Sequence, residues 1–227
     1  MPLARFVKIC LDAVSPAVEG RFWAAALGLT WQPDAGADLD PEGGVFAAGR
    51  DPVLRIKRVP EPKTAKNRVH LDIYAARLAD LEALGARVVL PEGGDRRWTV
   101  MADPEGGEFC AFLRDPVPEP RLHGLVVDCR EPLPLAAWWV DAVGGVLIDQ
   151  RGGYATADEV PGMSFSFDFV PVPEPKAGKN RVHWDLAAPD VQPLLDAGAQ
   201  LLRGPTDSEG FSVLADPEGN EFCVFPD

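Results

Sequence analysis

The chain has 227 residues, 46% of them hydrophobic, and its 35 acidic residues outnumber 22 basic ones to give a net charge of −13. This composition can bury a large core, so we expect one large domain or two of about 100 residues each. The acidic balance lacks the basic surface that nucleic acids and anionic lipids require, which argues against both as partners.

The sequence pattern of the first half of the chain predicts two modules, each with a strand, a helix and further strands. Residues 5–12 alternate as a strand, after which Ser15 and Pro16 predict the start of a helix that ends at Gly28. The other elements are predicted from alternation and turn residues: strands near 44–49, 52–58, 69–74, 86–90, 97–102 and 108–113, and a short helix over 77–84.

The second half repeats the first. Residues 59–74 match residues 172–187 at 11 of 16 positions, and residues 102–112 match residues 215–225 at 9 of 11, both at an offset of 113. A fixed offset is typical of tandem duplication. The repeated elements are strands at 122–129, before about 170, at 181–187 and near 200, 211 and 221, with helices over 132–143 and 190–197.

Together these patterns predict an α+β fold of four βαβββ units in two domains. We expect the domains at 1–114 and 122–227, joined by a proline-rich linker at 115–121. The charge is −2 over residues 1–116 and −11 over residues 117–227.

Location and redox state follow from two absences in the sequence. No apolar run is long enough to span a bilayer, so we expect a cytoplasmic protein. The four cysteines are far apart and form no CxxC pair, so neither disulfides nor a zinc ribbon are expected.

Three motifs resemble the glyoxalase-like branch of the vicinal oxygen chelate superfamily. They are the aromatic pairs 22–23 and 138–139, the KNRVHxD strand and the terminal DPEGNEFCVF hairpin. The resemblance covers nearly the whole chain and implies two incomplete barrels, each with a ligand in a concave cup. It implies no single activity, because lyases, epimerases, ring-cleaving dioxygenases and metal-free drug-binding proteins share this scaffold.

Strand alternation indicates which side chains face the cups. In the first copy we expect the ligand to be bound by residues on the polar face of each strand. These are Lys8, Asp12, Arg55, Lys57, His70, Asp72, Glu108 and Cys110, with Cys10, Tyr74 and Phe112 beside them. In the second copy the corresponding residues are Asp128, Asp168, His183, Asp185, Glu221 and Cys223, with Gly124, Val126 and Val170 beside them and His123 out of register.

Metal-dependent members of the superfamily are similar in taking one His or Glu ligand from each of four such strands. The resemblance places Lys8, Arg55 or Lys57, His70 and Cys110 at these positions in the first copy, where the cations would repel a metal ion. In the second copy it places Gly124, Asp168, His183 and Cys223 there. We therefore expect no cofactor or, alternatively, one Zn, Ni, Mn or Fe ion held by His183, Asp168 and Cys223 in the second domain, and at most one cup that keeps the ancestral site.

The same features also have structural interpretations. A strand histidine such as His70 or His183 can bond a neighbouring carboxylate, Asp72 or Glu108 in the first copy. The DPEG segments are typical of tight turns, and the KNR segments of solvated strand entrances. Cys110 and Cys223 suit either packing or nucleophilic catalysis beside these histidines, and Trp23, Trp138 and Trp139 suit a core.

Two functions are consistent with these observations. One is a metal-free protein that binds a small organic molecule, as the bleomycin-resistance type of sequestering protein does. The other is a lyase, isomerase or ring-cleaving dioxygenase that uses a metal, or acid–base catalysis by His183 with Asp168 or Glu221. Lys8, Arg55 and Lys57 favour an anionic ligand in the first cup, and either a monomer or a homodimer is expected.

Overall fold

A computed structural model describes residues 1–36, 39–207 and 209–227. The described residues form four successive βαβββ modules. The first module contains β1 (Arg5–Ala13), α1 (Pro16–Leu27), β2 (Thr30–Pro33), β3 (Gly43–Phe46) and β4 (Pro52–Arg58). The second contains β5 (Val69–Ala75), α2 (Leu78–Ala83), β6 (Arg87–Leu90), β7 (Thr99–Ala102) and β8 (Glu108–Leu113). The third module contains β9 (Leu122–Cys129), α3 (Pro132–Val143), β10 (Val146–Asp149), β11 (Ala155–Asp158) and β12 (Ser166–Pro171). The fourth contains β13 (Val182–Ala188), α4 (Gln192–Asp196), β14 (Gln200–Arg203), β15 (Ser212–Ala215) and β16 (Glu221–Pro226). The predicted α+β class and its four modules are confirmed.

The chain divides into two compact units. The N-terminal unit comprises residues 10–124, and the C-terminal unit comprises residues 1–9 and 125–227. In the N-terminal unit the strand orders are β1-β4-β3-β2 and β9-β5-β8-β7-β6. In the C-terminal unit they are β14-β15-β16-β13-β1 and β10-β11-β12-β9. Over the described ranges none of these sheets closes on itself, as the expected incomplete barrels require.

Helix α1 begins and ends where the sequence predicts, but a different residue holds its start. Ser15 makes no side-chain cap, and the carboxylate of Glu105 accepts hydrogen bonds from the N–H groups of Val14 at 2.9 Å and Ser15 at 2.6 Å. This carboxylate satisfies amides at the start of the helix that would otherwise lack partners. The helix ends at Gly28, whose φ is 69°.

The second DPEG segment has the same role. Glu218 accepts hydrogen bonds from the N–H groups of Arg130 at 2.7 Å and Glu131 at 2.8 Å, directly before α3. The glycines that follow, Gly106 and Gly219, have φ values of 87° and 86°. The prediction of tight turns is confirmed, and each turn also anchors the helix of a neighbouring module.

Strand β2 was not predicted from the sequence. It is only four residues long, and no alternating run marks it. Its Trp31 lies so close to Gly20 and Gly43 that an added Cβ would come within 2.2 Å and 2.6 Å of the indole ring. The tryptophan therefore depends on both glycines, a relation between distant residues that no local pattern reveals.

A pair of carboxyl groups is buried beneath α1 in the N-terminal unit. Glu19 accepts hydrogen bonds from the Trp23 indole at 3.1 Å and from the N–H of Glu105 at 3.0 Å. Burial raises the pKa of Glu19 to about 9, and the charges of Asp103 and Glu105 add to the increase. Burial also raises the pKa of Asp103 to about 6. Glu19 thus holds a proton at neutral pH and shares it with Asp103.

The C-terminal unit replaces this pair with one carboxylate and an amide. In the first helix of each copy the offset is 116, as between the aromatic pairs 22–23 and 138–139, so Leu135 stands where α1 has Glu19. At the offset of 113, Asn220 stands where the first copy has Gly107. Asp216 accepts hydrogen bonds from the Trp139 indole at 3.1 Å and from Asn220 Nδ2 at 2.9 Å. The two copies therefore satisfy the same buried tryptophan by different chemistry.

Two of the three tryptophans expected in the core lie there. Trp23 and Trp139 are buried, whereas Trp138 is half-buried and donates from its indole to the Ala197 carbonyl at 2.8 Å. Helices within the described residues are all too short or too polar to cross a membrane.

Candidate metal and ligand site

Strands β5 and β8 run parallel in the N-terminal unit and display polar side chains on one face. On β5, Val69, Leu71 and Ile73 are buried, while the alternate residues are half-buried, as predicted. The register pairs Asp72 with Cys110 and places Tyr74 opposite Phe112 one step further on. Side chains that the sequence assigned to the first cup are therefore neighbours.

Three of these side chains form a cluster of potential metal ligands. One donor atom each from His70, Asp72 and Cys110 lies within 4.8 Å of the other two. His70 Nε2 is 3.5 Å from Asp72 Oδ1, and both side chains are about 85% buried, with 15% and 14% exposed. Across the ranges that the structure describes, this Oδ1 atom accepts no hydrogen bond. The neighbouring carboxylate expected for His70 is thus Asp72, at ion-pair distance.

The donor chemistry of the cluster fits a divalent ion. Imidazole nitrogen, carboxylate oxygen and thiolate sulfur are the usual protein ligands of Zn²⁺, and three of them leave one tetrahedral position open. A buried carboxylate oxygen without a donor is costly unless something else satisfies it. The residues present therefore fit the metal that the resemblance implies, although at a different place from the one the sequence favoured.

An aromatic cluster continues from this site along the same strands. Tyr74 Oη is 2.9 Å from His123 Nδ1, and the two rings stack with centroids 4.5 Å apart. Phe112 lies edge-on to the His123 ring at 5.1 Å and stacks with Trp98 at 5.6 Å. We call these four residues the aromatic shelf. The sequence identified Tyr74 and Phe112 as facing the cup but left His123 out of register and did not single out Trp98.

Glu108 and Glu221 are held by matched structural contacts. Glu108 accepts hydrogen bonds from Lys63 at 2.9 Å and the N–H of Asn67 at 3.0 Å. Although burial raises the pKa of Glu108, these bonds hold it below its usual value. Glu221, a candidate catalytic residue, accepts equivalent bonds from Lys176 at 2.6 Å and from the backbone amide at position 180 at 3.2 Å. Both carboxylates thus fasten the segment before each histidine strand.

Lys8 lies in the C-terminal unit, beside residues of the second copy. Its Nζ is 3.1 Å from Asp185, whose side chain is 4% exposed, and 5.3 Å from the Phe225 ring centroid. Asp185 is the residue that matches Asp72 by the repeat offset. A lysine therefore neutralises Asp185 in the C-terminal unit, whereas the matched Asp72 in the N-terminal unit has His70 at 3.5 Å.

The other basic candidates lie on a different sheet from His70. Arg55 and Lys57 are on β4, where Arg55 bonds Asp34 and Lys57 Nζ is 2.6 Å from Glu42. Hydrogen bonding from Arg55 lowers the pKa of Asp34. Both cations are thus engaged by neighbouring carboxylates, consistent with the solvated rim that the sequence left open.

The second-domain set His183, Asp168 and Cys223 is divided between two sheets. His183 and Cys223 lie on β13 and β16, whereas Asp168 lies on β12 and accepts hydrogen bonds from Thr156 at 2.6 Å and Ser166 at 2.5 Å. The remaining candidates, Asp12 and Asp128, are buried at matched positions of β1 and β9.

The four modules place this protein in the class that shares the glyoxalase I fold. Glyoxalase I from Zea mays superposes with a TM-score of 0.64 at 14% identity, covering 97% of this chain and 92% of the other. A protein of Bacillus subtilis subsp. subtilis strain 168 assigned as a dioxygenase superposes with a TM-score of 0.65 at 14% identity, covering 100% and 86%. At such identities the likeness shows the fold alone.

Sequence comparison then identifies the family. The family model of the glyoxalase-like domain matches residues 8–112 and again residues 124–225. The chain belongs to this glyoxalase-like family, within the vicinal oxygen chelate superfamily, and carries two copies of its domain. No curated protein sequence matches it.

Proposed function

We propose that the N-terminal unit binds one divalent metal ion through His70, Asp72 and Cys110 and uses it to hold a small organic molecule. The observation that supports this is the convergence of three different donor atoms within 4.8 Å of one another. The buried Asp72 oxygen lies 3.5 Å from His70 Nε2 but accepts no hydrogen bond among the described residues, and the ion would satisfy it directly. The proposal takes up the metal-dependent alternative and moves its site from the second domain to the first.

The residues of the cluster have distinct tasks. His70 binds as the neutral imidazole and Cys110 as the thiolate, so metal uptake releases the thiol proton. Asp72 contributes the second negative charge, which together with the thiolate balances the ion. The buried face of β5 fixes the spacing of His70 and Asp72, because their side chains are two residues apart on one strand.

The ion would act as a Lewis acid that polarises a ligand oxygen. A three-ligand set leaves a coordination position free for that oxygen. This arrangement suits lyase, isomerase or dioxygenase chemistry on a small molecule, and we propose a reaction of this kind at the N-terminal unit.

A metal-free site is the better proposal for the C-terminal unit. The ammonium group of Lys8, 3.1 Å from Asp185, opposes a divalent ion at that carboxylate. We propose that this unit binds a small molecule without a metal, which retains the first function expected from the sequence. The divergence expected between the two cups then lies in the partners of two matched carboxylates: Asp185 pairs with the ammonium group of Lys8, and Asp72 with the imidazole of His70.

Cobalt binding tests the metal proposal with a control built into the repeat. Co²⁺ titration of the purified, metal-stripped chain is expected to give one equivalent and a thiolate-to-metal charge-transfer band. His70→Ala and Cys110→Ser should abolish the band, whereas the matched variants His183→Ala and Cys223→Ser should retain it. Loss of the band in the second pair alone, or no uptake by the wild type, would show that the proposed site is wrong.

A further inference from the structure

The aromatic shelf lies one register step from the metal ligands. The parallel pairing of β5 with β8 sets Asp72 opposite Cys110 and Tyr74 opposite Phe112. Two residues along a strand correspond to about 7 Å, and residues two apart share a face. A ligand whose oxygens reach the ion and that extends along β8 towards its C-terminal end would place a ring beside Phe112.

The rings of the shelf are not part of the hydrophobic core. Tyr74, Trp98, Phe112 and His123 are all half-buried, whereas the core of this unit uses Phe22, Trp23 and Phe109, whose rings lie within 6 Å of one another. The hydrogen bond between Tyr74 and His123 fixes two of the shelf rings in place. Half-buried rings held in this way provide preorganised apolar and π surface for a ligand.

The C-terminal unit provides an internal comparison. Phe211 and Phe225, which match Trp98 and Phe112, also stack, with centroids 4.7 Å apart. There Lys8 lies over the Phe225 ring, and Ala187 stands where the first copy has Tyr74. Among the described residues, the N-terminal unit therefore has all four rings of the shelf beside Asp72, whose buried oxygen accepts no hydrogen bond. The C-terminal unit has only part of this arrangement.

We infer that the N-terminal unit selects ligands in which a flat aromatic ring carries a metal-chelating oxygen group. The oxygens bind the ion at His70, Asp72 and Cys110, and the ring packs against Phe112 and Trp98, with the stacked Tyr74 and His123 rings as the adjoining wall. This inference rests on the proposed metal site and adds the ligand class. Ring contacts of this kind predict about a tenfold preference over a ligand that lacks the ring.

Two probes with the same chelating group isolate the contribution of the ring. Benzohydroxamate and acetohydroxamate would be titrated against the Co²⁺-loaded full chain and followed through the cobalt absorption bands. The ratio of their affinities for free Co²⁺ provides the reference. Benzohydroxamate is expected to bind about tenfold more tightly beyond that reference.

Matched variants identify which rings contribute. Phe112→Leu and Trp98→Leu should each reduce the preference several-fold while Co²⁺ uptake is unchanged. Phe225→Leu, at the matched position of the C-terminal unit, should leave it intact. Both shelf rings are half-buried, so far-UV circular dichroism should confirm that these variants fold.

Each other outcome has a defined meaning. Normal Co²⁺ uptake with equal affinity for the two probes would overturn the inferred ligand class and leave the metal proposal standing. An equal loss of preference in Phe112→Leu and Phe225→Leu would place the ring elsewhere and overturn it as well. Failure to bind Co²⁺ would overturn the proposed function, and this inference with it.

Discussion

Replacing Glu19 by Gln should remove the contribution that this buried carboxyl group makes to the pH dependence of stability above neutrality. Glu19 is 1% exposed, and its pKa is raised to about 9 because burial disfavours the ionised carboxylate. A carboxyl group with a raised folded-state pKa stabilises the fold fully below its usual pKa of 4.5 and loses that contribution as pH rises towards 9.

The magnitude follows from the proton that only the folded state retains. Between pH 6.5 and 8.5 Asp103 is mostly ionised in both states, since its folded-state pKa is about 6. Across this range Glu19 holds one proton when folded and none when unfolded, so the free energy of unfolding falls by about 1.4 kcal/mol per pH unit, or about 3 kcal/mol in total. A glutamine side chain cannot ionise, so the Glu19→Gln variant should lack this slope.

The amide of the variant also has a cost. It can donate to Asp103 as the protonated carboxyl does, but its nitrogen cannot accept from the Trp23 indole or the Glu105 amide. One unsatisfied buried donor costs about 1–3 kcal/mol, and this cost does not depend on pH. The slope, rather than the stability at a single pH, therefore tests the reasoning.

Urea unfolding followed by tryptophan fluorescence at pH 6.5, 7.5 and 8.5 provides the measurement. The variant's free energy of unfolding minus that of the wild type should increase by about 3 kcal/mol across the series. Glu82→Gln, which removes an exposed glutamate of α2, is the charge-matched control and should run parallel to the wild type. Parallel curves for Glu19→Gln and the wild type would refute the assignment of a buried proton to Glu19.

Two further predictions concern the differences between the copies. Glu19→Leu and Gly107→Asn each introduce the residue found in the second copy, and each alone should destabilise the N-terminal unit. In a double-mutant cycle measured by urea unfolding, the double variant should be about 1–2 kcal/mol more stable than the sum of the two single losses predicts. Strictly additive losses would contradict this. Lys8→Met removes the cation that lies 3.1 Å from the buried Asp185 carboxylate and should cost about 3–5 kcal/mol in thermal or urea unfolding. Arg5→Met breaks an exposed ion pair and should cost about 0–1 kcal/mol, and similar losses for the lysine and arginine variants would count against the argument.

Much of the fold could be predicted because its signals are local. Alternating residues such as Val69, Leu71 and Ile73 marked strands, and Pro16 and Gly28 marked the ends of α1. The repeat then extended each assignment to the second copy. Strand β2 escaped prediction, because four residues around Trp31 carry no periodic signal and are stabilised by contact with distant glycines.

The candidate site was predictable only in part. Alternation correctly placed His70, Asp72 and Cys110 on one face, but it grouped them with Lys8 and Arg55 from other strands. In the structure, Arg55 lies on β4, which belongs to a different sheet from β5, and Lys8 pairs with Asp185 of the second copy. The metal expectation consequently fell on the second domain, where Asp168 and His183 lie on separate sheets.

The sequence by itself determined the duplication, the four βαβββ modules and the side of each strand that its side chains occupy. These properties depend on composition and on a period of two residues, which a single chain segment displays. The tertiary structure decided which strands lie next to each other, and hence that Lys8 pairs with Asp185 while Arg55 lies on a different sheet from Asp72. Neighbouring strands are selected by long-range hydrogen bonding and packing, and no local pattern in the sequence records that choice.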